Sequence, residues 1–262
     1  MPVIPANTEV KIYTANFIDS SSTITSNYSG TTANLYDKDV NNYFETVGST
    51  RDVDKNFQLD ITFKIGSTET EMTLNSLILI NHNWRDFDFY IYENSAYRKV
   101  FSVTENQLSH KLYHMGAEKT SRIRIIVSKT ILPNREKKIG ELIICRLRYY
   151  MKENPISVEA LYREKKRTFE LGDGSRVQSH TRFSTYRCAK WGARISFTML
   201  PVGDISILES IKNEATPFLI QPEANSRPDQ IYYVNWVNQF TYKYTMINKN
   251  IGFDTTMELE EV

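Results

Sequence analysis

Alternation of apolar and polar residues with a period of two is the feature that most constrains how this chain can fold. It recurs in segments 57–63, 87–92 and 122–127. A period of two places every second side chain on one face of a β-strand, so each segment predicts a strand with one face on a core. Short strands of this kind, separated by polar loops, favour a β-sandwich. The chain is therefore predicted to be mostly β.

Length and charge narrow the class of protein. The chain has 262 residues, which suggests one or two domains. Its formal net charge of +1 gives no field that would draw it onto nucleic acid or an acidic membrane, so neither is expected as a partner. The first residues lack the basic and apolar regions of a signal peptide. No apolar run approaches the roughly 18 residues of a membrane span. We expect synthesis in a cytoplasm and no membrane insertion.

The residue pattern of the sequence changes at residues 151–155. This change predicts a boundary between a domain at 1–150 and a domain at 151–262. In the second domain, Asp204 is placed to cap the N-terminus of a helix. Apolar residues then recur at helical spacing until about Asn213. Alternating strands lie on both sides of this helix. The sequence thus predicts two β-sandwich domains, the second with one short helix.

The order of motifs in the first domain is familiar. An early loop with aspartates and aromatics precedes a strand ending at Asp60, the tyrosine-rich strand 87–92, the basic strand 122–125 and a closing strand after Gly140. In this order the chain resembles the discoidin, or coagulation factor 5/8 type C, jelly roll, a galactose-binding-like sandwich. The resemblance implies a domain that binds or adapts and rarely does chemistry. That family's cysteine clamp and protruding aromatic spikes are absent, so phosphatidylserine binding is not implied.

The resemblance also suggests where a ligand would bind. Tyr28, Trp84 and Tyr97 are interpreted as aromatic residues in loops, suited to stacking on a sugar. His82 and Asn83 precede Trp84, and this piece resembles discoidin-like modules in structural tail proteins of bacteriophages. The predicted ligand group therefore also includes these two residues. The alternative is that the aromatics pack against neighbouring subunits.

Two aspartates in the early loop suggest a metal. Asp37 and Asp39 offer the oxygen ligands that a structural calcium ion prefers. Aspartate in a tight loop also serves as a turn former. Both interpretations stay open, and no other cofactor is expected.

No arrangement of residues indicates catalysis. His110 and His114 in a strand would lie about 13 Å apart, too far for one metal ion. Cys145 stands in an apolar strand and fits a buried small hydrophobe, and Cys188 has no histidine fixed beside it by sequence. Residues 172–175 predict a hairpin turn and not a phosphate-binding loop. The protein is not expected to be an enzyme.

The second domain carries a second resemblance. A strand at 193–200, a turn and helix, a proline-bounded strand at 217–222 and an alternating strand at 253–262 follow one another. This order resembles the tail-tube-like β-sandwich of distal tail and baseplate proteins of long-tailed phages. It implies a structural component of a tail tip or baseplate, made in the host cytoplasm and located in the virion. Its partners would be the tail tube, hub and fibres, in a homo-oligomeric ring that acts as an adapter.

The first domain also suggests a different function. A discoidin-like sandwich fused to a second sandwich would also suit an adhesin. The alternative prediction is therefore a carbohydrate-binding module that recognises host-surface glycans.

Overall fold

The structure is a computed structural model that describes residues 10–39, 41–52, 56–150, 157–160, 166–170, 176–180, 192–222, 231–247 and 250–261. It divides into two compact units, one of Tyr13–Arg148 and one of Met1–Ile12 with Tyr149–Val262. The predicted boundary at 151–155, the predicted turn at 172–175 and Cys188 lie outside the described residues. The identities proposed for domains 1–150 and 151–262 remain predictions.

Strands make up most of the described residues. Up to residue 150 they are β1 (Lys11–Tyr13), β2 (Thr23–Ser26), β3 (Phe44–Glu45), β4 (Phe57–Thr62), β5 (Lys64–Ile65), β6 (Thr68–Glu69), β7 (Met72–Ile80), β8 (Trp84–Glu93), β9 (Ala96–Val103), β10 (Lys111–Thr120), β11 (Arg122–Thr130), β12 (Lys138–Ile139), β13 (Glu141–Cys145) and β14 (Leu147–Tyr150). A 3₁₀ helix at Thr32–Leu35 precedes β3.

The later elements include one α-helix. They are β15 (Ser157–Ala160), β16 (Lys166–Glu170), β17 (Arg176–His180), β18 (Gly192–Leu200), α1 (Val202–Asn213), β19 (Phe218–Gln221), β20 (Tyr232–Trp236), β21 (Tyr242–Ile247) and β22 (Asn250–Glu261). Within the described residues, no helix combines the length and the hydropathy needed to cross a membrane.

The unit Tyr13–Arg148 is a β-sandwich. Its larger sheet has the strand order β2-β4-β11-β8-β9, and its smaller sheet has the order β10-β7-β13. The inward side chains of β4, β8 and β11 share one hydrophobic core with those of β7 and β13. Alternation explains this, because Leu59, Phe89 and Ile125 point inward from three adjacent strands and are fully buried. The prediction of a mostly β protein with a sandwich fold is confirmed.

The other unit is built on a sheet with the order β14-β1-β19-β20-β22-β18-β15, and β21 pairs with β22 beside this path. Helix α1 buries Ile205, Leu208 and Ile211 in the same hydrophobic core as residues of β18, β20 and β22. Val10 and Ile12 also belong to this core. The apolar stripe of a single helix thus covers the sheet, while the tail-tube-like identity of this unit stays a prediction.

The helix starts earlier than the sequence predicts. Pro201 occupies the capping position with φ −61° and ψ 154°, and α1 begins at Val202. Asp204 therefore lies in the first helical turn, where its Oδ2 accepts a hydrogen bond of 2.7 Å from the Tyr149 hydroxyl. A carboxylate is favourable there because the helix dipole is positive at its N-terminus. The prediction that Asp204 caps the helix is wrong, and the predicted end at Asn213 is confirmed.

Strand β21 and the first residues of β22 form an antiparallel hairpin with an apolar face in solvent. Tyr242, Tyr244, Met246 and Ile251 are 49%, 60%, 63% and 55% exposed, and we call these four residues the hairpin face. The first three are two residues apart in β21, and Met246 lies opposite Ile251 in the strand register. They share one face of the hairpin for that reason.

Candidate functional site

Trp84 lies inside the sandwich. It begins β8 and is fully buried, with its ring 5.9 Å from that of Phe57 and 6.0 Å from that of Phe87. Its Nε1 has no hydrogen-bond partner among the described residues. The prediction that Trp84 is an exposed loop aromatic is wrong. Because no face of its ring reaches solvent, Trp84 contributes to the core and offers no surface to a sugar.

His82 is also buried, at 2% exposure. Its Nδ1 accepts a 3.0 Å hydrogen bond from the backbone N–H of Trp84, so the ring proton of the neutral imidazole is on Nε2. Burial lowers the pKa of His82 to about 3, and the nearby charges of His110 and Lys111 act in the same direction. The imidazole is therefore neutral at physiological pH. Its hydrogen bond to Trp84 fixes the corner before β8, and a ligand-binding role for His82 stays a prediction.

Asn83 uses its amide to join two segments of the chain. Its Nδ2 donates to the carbonyl oxygen of Glu136 at 2.7 Å, and its Oδ1 accepts from the N–H of Lys138 at 2.9 Å. Tyr28 is half-buried and packs against the sandwich core. The structure places His82, Asn83 and Trp84 together at the corner before β8. Tyr97 lies elsewhere, among the outward side chains of the larger sheet that are described below. A ligand-binding role for Tyr28 and Asn83 stays a prediction.

The early acidic loop is held by its own hydrogen bonds. Asp37 Oδ1 accepts from the N–H of Asp39 at 2.9 Å, and Asp39 Oδ1 accepts from the N–H of Asn41 at 3.0 Å. These are the bonds of aspartates that form turns. Among the described residues, no group of three or more His, Cys, Asp or Glu side chains is placed to hold a metal ion. Calcium at Asp37 and Asp39 remains a prediction.

Glu141 lies near this loop and is only 5% exposed. Its Oε2 accepts a 3.0 Å hydrogen bond from the N–H of Lys38. Burial raises the pKa of Glu141 to about 8, an effect that the Lys38 hydrogen bond opposes and the charge of Asp37 increases. The carboxyl group is therefore largely protonated at neutral pH. Its hydrogen bond with the Lys38 N–H holds the acidic loop in place.

The outward side of the larger sheet carries a regular array of polar and aromatic side chains. In one row across four strands, Asp60 of β4 pairs with Arg124 of β11, Arg124 pairs with Tyr90 of β8, and Tyr90 pairs with Lys99 of β9. The flanking positions hold Tyr92 opposite Tyr97 and Asp88 opposite Ser102. We call this array the tyrosine face, defined by Tyr90, Tyr92, Tyr97, Lys99, Arg122 and Arg124 with the carboxylates of Asp60, Glu69 and Asp88.

Every cation of the tyrosine face is paired with a carboxylate. Arg124 donates from Nε and Nη2 to the two oxygens of Asp60 at 2.6 and 3.0 Å. Arg122 makes the same two-pronged contact with Glu69 at 2.8 and 2.7 Å. Lys99 Nζ lies 2.7 Å from Asp88 Oδ2. Because three positive groups meet three negative groups, the face has no net charge.

The cations also lie over the aromatic rings. The guanidinium of Arg124 is 3.9 Å from the centre of the Tyr97 ring, and that of Arg122 is 5.0 Å from the centre of the Tyr92 ring. Tyr92 and Tyr97 are in edge contact at 5.3 Å. All three tyrosines are half-buried, so each residue keeps part of its surface in solvent. Cation–π contact and paired hydrogen bonds hold the side chains in one arrangement.

The pKa shifts on the tyrosine face keep its ion pairs charged. Burial tends to raise the pKa of Asp88, but hydrogen bonds from Lys99 and Ser102 outweigh it, and the pKa lies below its usual value. Hydrogen bonding to Asp60 raises the pKa of Arg124. The arrangement therefore presents fixed donors, acceptors and aromatic surface, which suits binding to an uncharged polar molecule.

Sequence reasoning found Tyr97 alone among these residues as a site residue, and its interpretation as a loop residue is wrong because Tyr97 lies in β9. Most of the others were visible as the outward partners in the alternating segments, where Tyr90 and Tyr92 alternate with inward Phe89 and Ile91. Lys99 and Glu69 lie outside those segments. Only the strand order brings Arg124 of β11 next to Tyr90 of β8 and close to Tyr97 of β9. A search for outward-facing Tyr and Arg in the alternating segments would have found Tyr90, Tyr92, Arg122 and Arg124.

No protein-family model matches the chain, and no curated protein matches it. Similar solved structures include the family 32 carbohydrate-binding module of Streptococcus pneumoniae EndoD, at 12% identity and a TM-score of 0.41, covering 50% of this chain and 99% of that one. Another is CBM32-5 from Clostridium perfringens in complex with GalNAc-β-1,3-galactose, at 11% identity and a TM-score of 0.38, covering 47% and 94%. A third is chitosan-binding module 1 from a Paenibacillus sp. IK-5 chitosanase/glucanase, at 10% identity and a TM-score of 0.42, covering 50% and 98%. At these identities and scores, the similarities assign no activity to the chain.

Proposed function

We propose that this protein is a non-catalytic carbohydrate-binding protein and that the tyrosine face of its sandwich contacts the glycan. One observation carries the proposal, namely three half-buried tyrosines on two adjacent strands, each next to a charge-paired cation. The proposal corresponds to the adhesin function that the sequence left as its alternative. It moves the binding surface away from Trp84 to the outer side of the sheet.

The chemistry of the face suits a sugar. The C–H side of a pyranose ring packs on aromatic surface, which supplies apolar contact area at low entropic cost because a tyrosine has few rotatable bonds. The hydroxyl groups need donors and acceptors at fixed positions. Asp60 Oδ1 accepts one hydrogen bond, from Arg124, among the described residues. A carboxylate oxygen has capacity for a second hydrogen bond, so this oxygen remains able to accept one from a sugar hydroxyl.

Charge narrows the class of glycan. Since the cations of the face are neutralised by Asp60, Glu69 and Asp88, a polyanion would gain little attraction there. We propose a neutral oligosaccharide as the ligand. The paired side chains are already ordered in the free protein, which reduces the entropy lost on binding.

A printed array of neutral and acidic oligosaccharides tests this function with the full chain and with Tyr92→Ala. The matched control is Tyr150→Ala, which truncates an exposed tyrosine in the other unit, outside the hairpin face. We expect binding of the unaltered chain and of Tyr150→Ala to the same neutral glycans, and loss of binding for Tyr92→Ala. Absence of binding to every glycan, or equal binding by all three proteins, would refute the proposal.

A second candidate is the structural role in a phage tail tip or baseplate, with tail tube, hub and fibre proteins as partners in the virion. The exposed apolar hairpin face favours it, because a contiguous apolar surface in solvent marks a protein–protein contact. Negative-stain images of the purified protein test the ring that this role requires. Regular rings would support the role, and single particles at all concentrations would count against it.

A further inference from the structure

We propose that the hairpin face is a self-association surface whose occupant is a second copy of this chain. The inference is independent of glycan binding, because it concerns the other unit of the protein. The two sides of the β21–β22 hairpin differ, since one carries charged side chains and the other carries apolar side chains.

On the charged side of the hairpin, the carboxylate of Asp254 has its hydrogen-bond partners within the same unit. Lys243 lies opposite Asp254 in the strand register, and Thr245 Oγ1 donates to Asp254 Oδ2 at 2.7 Å. Hydrogen bonds from Thr198 and Thr245 hold the pKa of Asp254 below its usual value. The carboxylate is thus charged and satisfied on the side away from the apolar residues. A partner packed on the apolar side would therefore bury none of these charges.

The apolar side is ordered before any partner arrives. The ring of Phe253 is 5.4 Å from that of Tyr242 and 5.7 Å from that of Tyr244, in edge contacts. Phe240 adds a further contact to Tyr242 at 5.7 Å. Rings that are held in this way lose little freedom on docking. Yet Tyr244 and Met246 remain 60% and 63% exposed, the reverse of what an amphipathic hairpin in a monomer needs.

Several features favour a second copy as the occupant. A patch that pairs with itself across a two-fold axis needs no complementary charge, and the hairpin face contains none. The net charge of +1 gives little repulsion between copies. The exposed parts of the four side chains amount to roughly 500 Å² per copy, so a pair would bury on the order of 1,000 Å², the lower bound for a specific interface.

Symmetry then places one residue at the centre of the contact. Tyr242, Tyr244 and Met246 follow one another along the same face of β21, and Tyr244 is the middle residue. With a two-fold axis through the middle of the patch, Tyr244 meets Tyr244 of the second copy, and Tyr242 meets Met246. Within the described residues β21 pairs only with β22, so no described strand occupies its outer edge.

Sedimentation velocity of the full chain from about 1 to 100 μM tests the proposal. We expect the weight-average mass to rise with concentration towards twice that of the 30.5 kDa chain. Tyr244→Ser with Met246→Ser should weaken the association at least tenfold. The matched control is Leu132→Ser, which removes an apolar side chain of similar exposure, 66%, from the other unit. It should associate as the unaltered chain does.

A cysteine placed at the centre tests the geometry separately from folding. Tyr244→Cys should form a covalent dimer on mild oxidation, whereas Lys243→Cys, on the opposite side of the hairpin, should not exceed the background of the unaltered chain. Circular dichroism and thermal melting confirm that the variants fold. A chain that stays monomeric at 100 μM, a double serine variant that associates normally, or equal cross-linking from both cysteine positions would overturn the proposal.

Discussion

The guanidinium of Arg124 lies 3.9 Å from the centre of the Tyr97 ring. The same guanidinium donates two hydrogen bonds to Asp60, so one planar group is held at its edge by a carboxylate and on its face by an aromatic ring. Strands β4, β11 and β9 contribute one residue each to this stack. The relationship fixes the middle of the tyrosine face.

Arg124→Lys tests that stack. Lysine keeps the charge but has neither the two-pronged donor geometry nor the planar surface. We expect a loss of about 1 kcal/mol in the free energy of unfolding, measured by urea denaturation. Arg98→Lys is the control, because Arg98 is 46% exposed and pairs with Glu93 at the sheet surface. An equal loss in both variants would mean that the stack adds nothing.

Trp84→Ala separates the core from the binding surface. Removing a fully buried indole leaves a cavity among Phe57, Phe87 and His82, and we expect a cost of about 3–5 kcal/mol in the free energy of unfolding. Tyr92→Ala, at a half-buried surface position, should cost less than half as much. Urea denaturation of both variants measures the difference. A Trp84→Ala protein as stable as the unaltered chain would contradict the buried position.

Glu141 predicts a pH dependence of stability. Its pKa is about 8 in the folded protein, above its ordinary value of 4.5, so the folded state binds the proton more tightly than the unfolded state does. Its contribution to stability is therefore full below pH 4.5 and is lost as the pH rises through 8. Glu141→Gln keeps an acceptor for the Lys38 N–H and should flatten the fall in stability across this window.

Denaturant midpoints from pH 4.5 to pH 9 measure that change. Glu45→Gln, at an exposed position in β3, is the control and should leave the profile as it is. If Glu141→Gln also leaves the profile unchanged, the carboxyl group is not buried as described.

Gly252 is predicted to tolerate no side chain. A Cβ there would lie 2.5 Å from Cα and 2.7 Å from the carbonyl carbon of Met199, and backbone cannot move aside as a flexible side chain does. We expect Gly252→Ala to lower the free energy of unfolding by about 1–3 kcal/mol. Gly116→Ala is the control, since nothing lies within 4 Å of its added Cβ. Thermal melting of the two variants compares them, and equal melting temperatures would refute the close approach.

Alternation predicted the strands well because a period of two leaves few other structures. Trp84 was instead interpreted as a loop residue, which is wrong because it begins β8, and alternation extended back along β8 would also have misplaced its side chain. Inward Phe87, Phe89 and Ile91 imply that an even-numbered neighbour such as Trp84 points outward. The register between β8 and β11 shifts at Asp86 and Trp84, and a shift of one residue turns a side chain to the other side of the sheet. No local pattern marks that bulge.

Contacts between residues far apart in the sequence could not be predicted either. Lys137 is fully buried, with its Nζ 2.6 Å from the carbonyl oxygen of Ser49 and 3.1 Å from Asp52 Oδ1. A lysine in a polar loop predicts exposure, and only the approach of a segment 85 residues away reverses that. The tyrosine face has the same origin, since its residues come from five strands that the sequence does not order.

The most direct measurement of the glycan-binding proposal is the affinity of the full chain for the oligosaccharide bound most strongly on the array, determined by titration calorimetry at pH 7. Calorimetry reports affinity per site, so self-association through the hairpin face does not inflate it. We expect Tyr92→Ala to weaken this affinity at least tenfold, about 1.4 kcal/mol, and Tyr150→Ala to retain it. Equal affinities for the unaltered chain and Tyr92→Ala would contradict the glycan-binding proposal.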